Sequence, residues 1–150
     1  ASEGDGSPAI AHGDTFVFVR DASGAPVKMP FATLVTKDYP GFDEFSQLDR
    51  SGLYRLNLDV GRTAFAGLFG FEPQDLGTHR AGLDFAAVGR WCPHPVYGSY
   101  GWVSMVGPHA HPELDRLITT SLARARRKTV VRTSQGGEAD PANENAKDTP

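Results

Sequence analysis

The stretch that decides the fold is residues 53–60, LYRLNLDV, in which apolar and polar residues alternate from Tyr54 onward. Successive side chains of a β-strand point to opposite faces. One face of this strand therefore carries Tyr54, Leu56, Leu58 and Val60, and the other carries Arg55, Asn57 and Asp59. The apolar face predicts a core on one side of a sheet. A polar face is usually exposed, but if a helix or loop covered it, a buried Arg55 would need a carboxylate partner. The candidate partners are Asp38, Asp43 and Asp49.

Other segments place more strands and helices around this one. Patterns rich in β-forming residues predict strands at residues 15–20, 31–36 and 102–106, and the turn at 21–26 joins the first two in a hairpin. Helices are predicted at 42–49, 62–69 and 112–128, and a short one is possible at 83–88. We therefore predict an α+β fold, a small antiparallel sheet of about four to five strands covered by helices.

Length and composition narrow the class of protein. A chain of 150 residues is the usual size of one domain. We predict an irregular segment at 1–12, a single domain at 13–132 and a disordered polar tail at 133–150, which has no Leu, Ile, Val or aromatic residue. No apolar run is long enough for a membrane span. The single cysteine fits a reducing compartment and predicts a cytoplasmic protein.

Charge and motifs argue against several function classes. The formal net charge is −3, whereas nucleic-acid binders usually carry a basic patch. We interpret the local patch at Arg124, Arg126, Arg127 and Lys128 more simply, as cations that stabilise a helix near its predicted C-terminus. The sequence has no G-x-S-x-G, P-loop or G-x-G-x-x-G motif, so no cofactor is expected.

The first candidate stretch for chemistry is residues 37–43, KDYPGFD, directly after a predicted strand. A desolvated Lys37 can bind an anion or act as a base, and Asp38 or Asp43 can orient it. The structural alternative is ordinary turn chemistry at Pro40-Gly41, with Asp43 placed beside a helix start.

The second candidate stretch is residues 92–102, CPHPVYGSYGW. His94 lies between two prolines that fix its backbone, which suits a catalytic or ligand-contacting histidine. Tyr97, Tyr100 and Trp102 can form an aromatic wall. The alternative is a rigid entry into the last strand, with His94 hydrogen-bonded and Trp102 in the core.

A metal site needs a denser ligand pattern than this chain offers. Cys92 and His94, with His109 and His111, supply four possible zinc or copper ligands. Their spacing matches no zinc signature, and we predict no metal.

At these residues the chain resembles a bacterial family, domain of unknown function 6194. The matching stretches are 13–16 (GDTF), 31–43 (FATLVTKDYPGFD), 48–50 (LDR), 55–57 (RLN), 93–97 (PHPVY) and Trp102. The segment from His94 to Arg127 is also distantly similar to the MmcQ/YjbR-like group. That similarity implies a two-layer, frataxin-like arrangement and a suggested affinity for DNA.

Taken together, these patterns favour a binder of a polar or anionic small molecule, in a pocket at the strand ends. Its predicted site consists of His94 and Lys37 as catalytic candidates, with Asp38, Asp43, Arg55, Asn57, Tyr97 and Trp102 contacting the ligand. The alternatives are an enzyme that uses His94 as a general acid or base, and a nucleic-acid or protein interaction module. The small-molecule hypothesis requires the three polar stretches to meet around one pocket.

Overall fold

A computed structural model describes residues 6–11, 14–50, 52–107 and 111–134, which form one six-stranded antiparallel sheet and three α-helices. The strands are β1 (Gly6–Ala11), β2 (Asp14–Val19), β3 (Ala32–Val35), β4 (Tyr54–Asp59), β5 (Trp91–Pro93) and β6 (Trp102–Gly107), in the spatial order β1-β2-β3-β4-β6-β5. The helices are α1 (Gly61–Phe69), the single turn α2 (Leu76–His79) and α3 (Leu114–Ser134). The predicted α+β class and antiparallel sheet are confirmed. In this part of the chain no helix is long and apolar enough to cross a membrane.

The four predicted strands correspond to β2, β3, β4 and β6, and the helix predicted at 62–69 is α1. That helix ends at Gly70, which adopts a left-handed φ of 81° and donates its N–H to the Ala66 carbonyl. Left-handed backbone at this position strongly favours glycine, which explains why the sequence signal was reliable.

Three segments have a secondary structure different in kind from the predicted one. Residues 6–11, predicted as irregular, form β1 against β2. Residues 42–49 are turns rather than a helix, because the backbones of Tyr39 and Asp43 hydrogen-bond to each other at 2.8 Å in both directions around Pro40-Gly41. Residues 83–88 also form turns, with Asp84 accepting a hydrogen bond from the Ala86 N–H.

The last helix is longer than predicted and begins slightly later. It starts at Leu114 and continues to Ser134, so residues 133 and 134 belong to the helix rather than to the predicted tail. The remainder of that tail, residues 135–150, lies outside the described residues.

The two faces of the sheet are covered differently. Leu58 and Val103 on the apolar face pack against Phe65 of α1 and against Leu117 and Leu122 of α3. On the opposite face, the cross-strand partners of Asn57 are Thr33 and Ser104. We call this surface the polar face: Thr33, Arg55, Asn57, Asp59 and Ser104.

The polar face is covered by chain rather than exposed to solvent. Residues 36–50, which we call the covering loop, place Leu48 in an apolar cluster with Val35 and Val106. The loop is also attached to the segment around Ala86, because Nη2 of Arg50 donates a 2.8 Å hydrogen bond to the Ala86 carbonyl. The fold therefore encloses the polar side of β4, where a charge must find its partner inside the protein.

Candidate functional site

The centre of the polar face is a buried ion pair between the sheet and the covering loop. Arg55 is 1 % exposed, and its Nη1 and Nη2 donate to the two carboxylate oxygens of Asp43 at 2.9 and 2.5 Å. Nη1 also donates to Ser46 Oγ at 2.8 Å. Of the three candidate carboxylates, Asp43 is thus the partner that a buried arginine requires. The reciprocal backbone bonds of Tyr39 and Asp43 hold this carboxylate over the sheet.

A row of uncharged polar groups crosses three strands beside this pair. Asn57 Oδ1 accepts from Arg55 Nε at 2.8 Å and from Ser104 Oγ at 2.6 Å. Its Nδ2 donates to Thr33 Oγ1 at 2.8 Å. Because the amide is bonded on both its oxygen and its nitrogen, the polar face is a connected hydrogen-bond network with one orientation of Asn57.

His94 is buried at the edge of this network and its position is fixed by its backbone. Its N–H donates to the Trp102 carbonyl at 3.0 Å, and its carbonyl accepts from the Gly98 N–H at 2.9 Å. Nδ1 accepts the backbone N–H groups of Val96 and Tyr97, both at 3.0 Å. Since Nδ1 is an acceptor, the proton of the neutral ring is on Nε2. Burial, and then the charge of Arg55, hold the pKa of His94 well below its usual value, which keeps the ring neutral.

The Nε2–H group of His94 has no acceptor among the described residues, although the residue is only 3 % exposed. Buried donors are almost always paired with protein or water. Because His94 lines the cavity described below, this group can donate to a molecule bound there.

Aromatic rings surround His94. Its ring centroid lies 4.9 Å from that of Tyr97 and 6.1 Å from that of Trp102. Phe42 of the covering loop adds an edge contact with Tyr97 at 6.1 Å. Burial raises the pKa of Tyr97, so its hydroxyl keeps its proton. The predicted aromatic wall is present, and Trp102 belongs to it rather than to the helix-covered core.

These groups line one cavity of about 760 Å³. Its size falls within the usual range of small-molecule sites. The predicted residues on its wall are Asp43, Arg55, Asn57, His94, Tyr97 and Trp102. The three polar stretches identified in the sequence thus meet around one pocket.

Two of the predicted site residues are not on its wall. Lys37 is exposed, and its ammonium lies 5.5 Å from the centroid of the Tyr39 ring. Asp38 accepts a 3.3 Å hydrogen bond from the Leu48 backbone N–H, a contact within the covering loop. Neither side chain faces the cavity because the turn at Pro40-Gly41 directs Tyr39 and Asp43 inward instead.

A second charged cluster forms the α3 end of the cavity, and the sequence did not reveal it. Asp59 accepts from Arg124 Nε at 3.1 Å and from Lys128 Nζ at 3.3 Å. Arg124 lies over Gly61, where a Cβ would be 3.0 Å from the arginine Cδ. Two cations share one carboxylate here, which leaves one positive charge in surplus. The spacing of Arg124 and Lys128, four residues apart on a helix, was the available signal.

Asp14 and Tyr39 form a further pair on the cavity wall that sequence reasoning missed. Asp14 is 1 % exposed and accepts from the Thr36 N–H at 2.9 Å and from the Tyr39 hydroxyl. The hydrogen bond to Asp14, together with burial, raises the pKa of Tyr39 to about 12. Tyr39 is therefore a donor and remains un-ionised.

The possible metal ligands do not converge in the part of the chain that the structure describes. Cys92 Sγ lies 4.0 Å from the Asp84 carbonyl, and burial raises the pKa of its thiol to about 11. His111 Nδ1 accepts from Trp91 Nε1 at 3.2 Å. No group of three or more possible ligands occurs among the described residues, and His109 lies outside them.

Comparison with known proteins identifies a family. A family model, described as a family of unknown function (DUF6194), matches residues 4–134. No curated protein and no solved structure matches the chain. The distant similarity to the MmcQ/YjbR-like group and its frataxin-like arrangement therefore stay predictions.

Proposed function

Because the chain belongs to DUF6194, a family of unknown function, we propose its function from the cavity itself: the domain binds a polar or anionic small molecule against the polar face. The observation that carries this proposal is the buried Nε2–H group of His94, which has no acceptor in the described part of the chain. Leaving a buried donor unsatisfied costs about 1–3 kcal/mol. A ligand oxygen in the cavity would accept this hydrogen bond.

Arg55 supports the same interpretation. Among the described residues, four of its five N–H groups have acceptors, which are supplied by Asn57, Asp43 and Ser46. One hydrogen on Nη2 is left for a ligand. Because the guanidinium is fixed by the other four bonds, binding to it would cost little conformational entropy.

The enzymatic alternative has less support, since the state of His94 suits donation rather than proton transfer. Its Nδ1 lone pair is occupied by two backbone N–H groups, so the ring has no free lone pair to act as a base. Its lowered pKa also disfavours the protonated form that a general acid needs. The nucleic-acid alternative is weakened because Arg124 and Lys128 pair with Asp59.

The test is thermal unfolding in the presence of a library of polar and anionic metabolites. A ligand at a hundred times its dissociation constant adds about 2.7 kcal/mol to the free energy of unfolding. The comparison variant is His94→Asn. Its side-chain oxygen can replace Nδ1 as the acceptor for the N–H groups of Val96 and Tyr97, but the variant has no equivalent of the Nε2–H donor. We expect hits that raise the midpoint of the wild-type protein more than that of the variant. A library without hits, or hits that stabilise both proteins equally, would overturn the proposal.

A further inference from the structure

The charges around His94 define which head group the cavity can accept. The positive charge of Arg55 is already matched by Asp43, and the side chains of this pair are 1 % and 8 % exposed. His94 is neutral. Asp14 adds a second buried carboxylate to the same cavity wall, and the hydrogen bonds to it come from the uncharged Thr36 and Tyr39. The sum over the three buried charges, Asp14, Asp43 and Arg55, is one negative charge, and Lys28, which also lines the cavity, is exposed at its opening.

An anionic head group would therefore be buried beside surplus negative charge. Burying a charge without a partner is costly, and like charges placed together cost several kcal/mol at an interface. A neutral oxygen avoids both costs. The available groups at this end, Nε2–H of His94 and one N–H of Arg55, are both donors, and a carbonyl oxygen has two lone pairs to receive them.

The outer part of the cavity favours a flat apolar body. Three of the large hydrophobic side chains that remain exposed line this cavity: Met29 at 45 %, Phe42 at 49 % and Tyr100 at 51 %. They belong to three different loops, at 27–31, 36–50 and 94–101. Exposed apolar groups gathered at one opening mark a binding site, and aromatic walls bury planar ligands efficiently.

From these observations we infer that the ligand has an uncharged carbonyl head, such as an amide, lactam or urea, at the His94–Arg55 end and a planar apolar body between the three loops. This inference rests on the proposed function and narrows it. It assigns any negative group of the ligand to the α3 end, where Lys128 and Arg124 share Asp59.

The test uses three compounds that share one apolar body and differ in the charge of the head: 2-naphthamide, 2-naphthoate and 2-naphthyl phosphate. Isothermal titration of the wild-type protein should give a dissociation constant about tenfold lower for the amide than for the carboxylate, and weaker binding still for the phosphate. Equal or tighter binding of either anion would overturn the inference while leaving small-molecule binding intact.

Two variants separate the roles of the His94 ring nitrogens. His94→Gln can present its amide nitrogen near the Nε2 position, and His94→Asn can present its oxygen near the Nδ1 position. We expect 2-naphthamide to bind His94→Asn about tenfold more weakly than the wild-type protein, with partial recovery in His94→Gln. If 2-naphthamide binds both variants like the wild type, the donor assignment fails.

The naphthyl series also distinguishes the two levels of the proposal. If no naphthyl compound binds but the metabolite library gives hits, the test is the charge of those hits that stabilise His94→Asn less than the wild-type protein. If most of these hits are anions, the neutral head group is refuted. If neither the series nor the library binds, the proposed function itself fails.

Discussion

Replacing Asp43 with asparagine leaves the guanidinium of Arg55 buried without its counter-charge. Removing one partner of a buried ion pair costs about 3–5 kcal/mol. Asparagine is nearly isosteric and keeps one acceptor, so we expect a loss near the lower limit, about 3 kcal/mol. Domains are stable by about 5–15 kcal/mol, and in a domain of this size the loss corresponds to a midpoint about 10 °C lower.

Urea unfolding followed by tryptophan fluorescence measures this loss. The matched control is Glu72→Gln, which breaks the surface pair of Arg62 and Glu72, whose side chains are 73 % and 40 % exposed. Exposed pairs contribute about 0.2–1 kcal/mol. If Asp43→Asn costs no more than the control, the buried pair does not hold the covering loop and the reasoning is wrong. Adding Arg55→Met to Asp43→Asn should restore part of the lost stability, because the unpaired charge is then removed.

Three further predictions concern other parts of the fold. Because the pKa of His94 is lowered in the folded state, the unfolded chain takes up the proton first as the pH falls. The free energy of unfolding should therefore fall below about pH 6.5, by up to about 1.4 kcal/mol per pH unit. His94→Asn should flatten a plot of unfolding free energy against pH in this range. Gly61→Ala should destabilise by about 1–3 kcal/mol, because Gly61 has φ 87° and an added Cβ would lie only 3.0 Å from Cδ of Arg124. Gly67→Ala in the same helix should instead stabilise by about 0.4–1 kcal/mol in thermal melts. Because the pKa of the Cys92 thiol is raised to about 11, little of it is thiolate at about pH 8, and it should react with iodoacetamide about a hundredfold more slowly than free cysteine. A rate equal to that of the unfolded protein would contradict this prediction.

Much of the sheet could be predicted because a strand pattern is a local property. The alternation in residues 53–60 assigned Arg55 and Asn57 to one face, and the need of a buried arginine for a carboxylate reduced the choice to three acids, of which Asp43 is the partner. Predicting that Thr33 and Ser104 flank Asn57 requires the register of three strands, which depends on contacts distant in sequence.

The covering loop was the least predictable part of the site. Residues 42–49 contain a short helix-like pattern, but isolated helices of this length are unstable without tertiary support. In the folded chain the tertiary contacts favour turns instead, because Asp43 pairs with Arg55 and Leu48 packs against Val106. The same turn structure directs the side chain of Lys37 away from the cavity.

Strand β5 has a consequence for how this domain meets other molecules. It forms one edge of the sheet, is three residues long, and ends at Pro93. Pro93 and Pro95 have no N–H to offer, and the N–H of His94 between them is already bonded to Trp102. A strand from a neighbouring chain would find few free backbone donors here, and edges of this kind resist edge-to-edge aggregation. The prolines that position His94 therefore also protect this edge of the sheet against self-association.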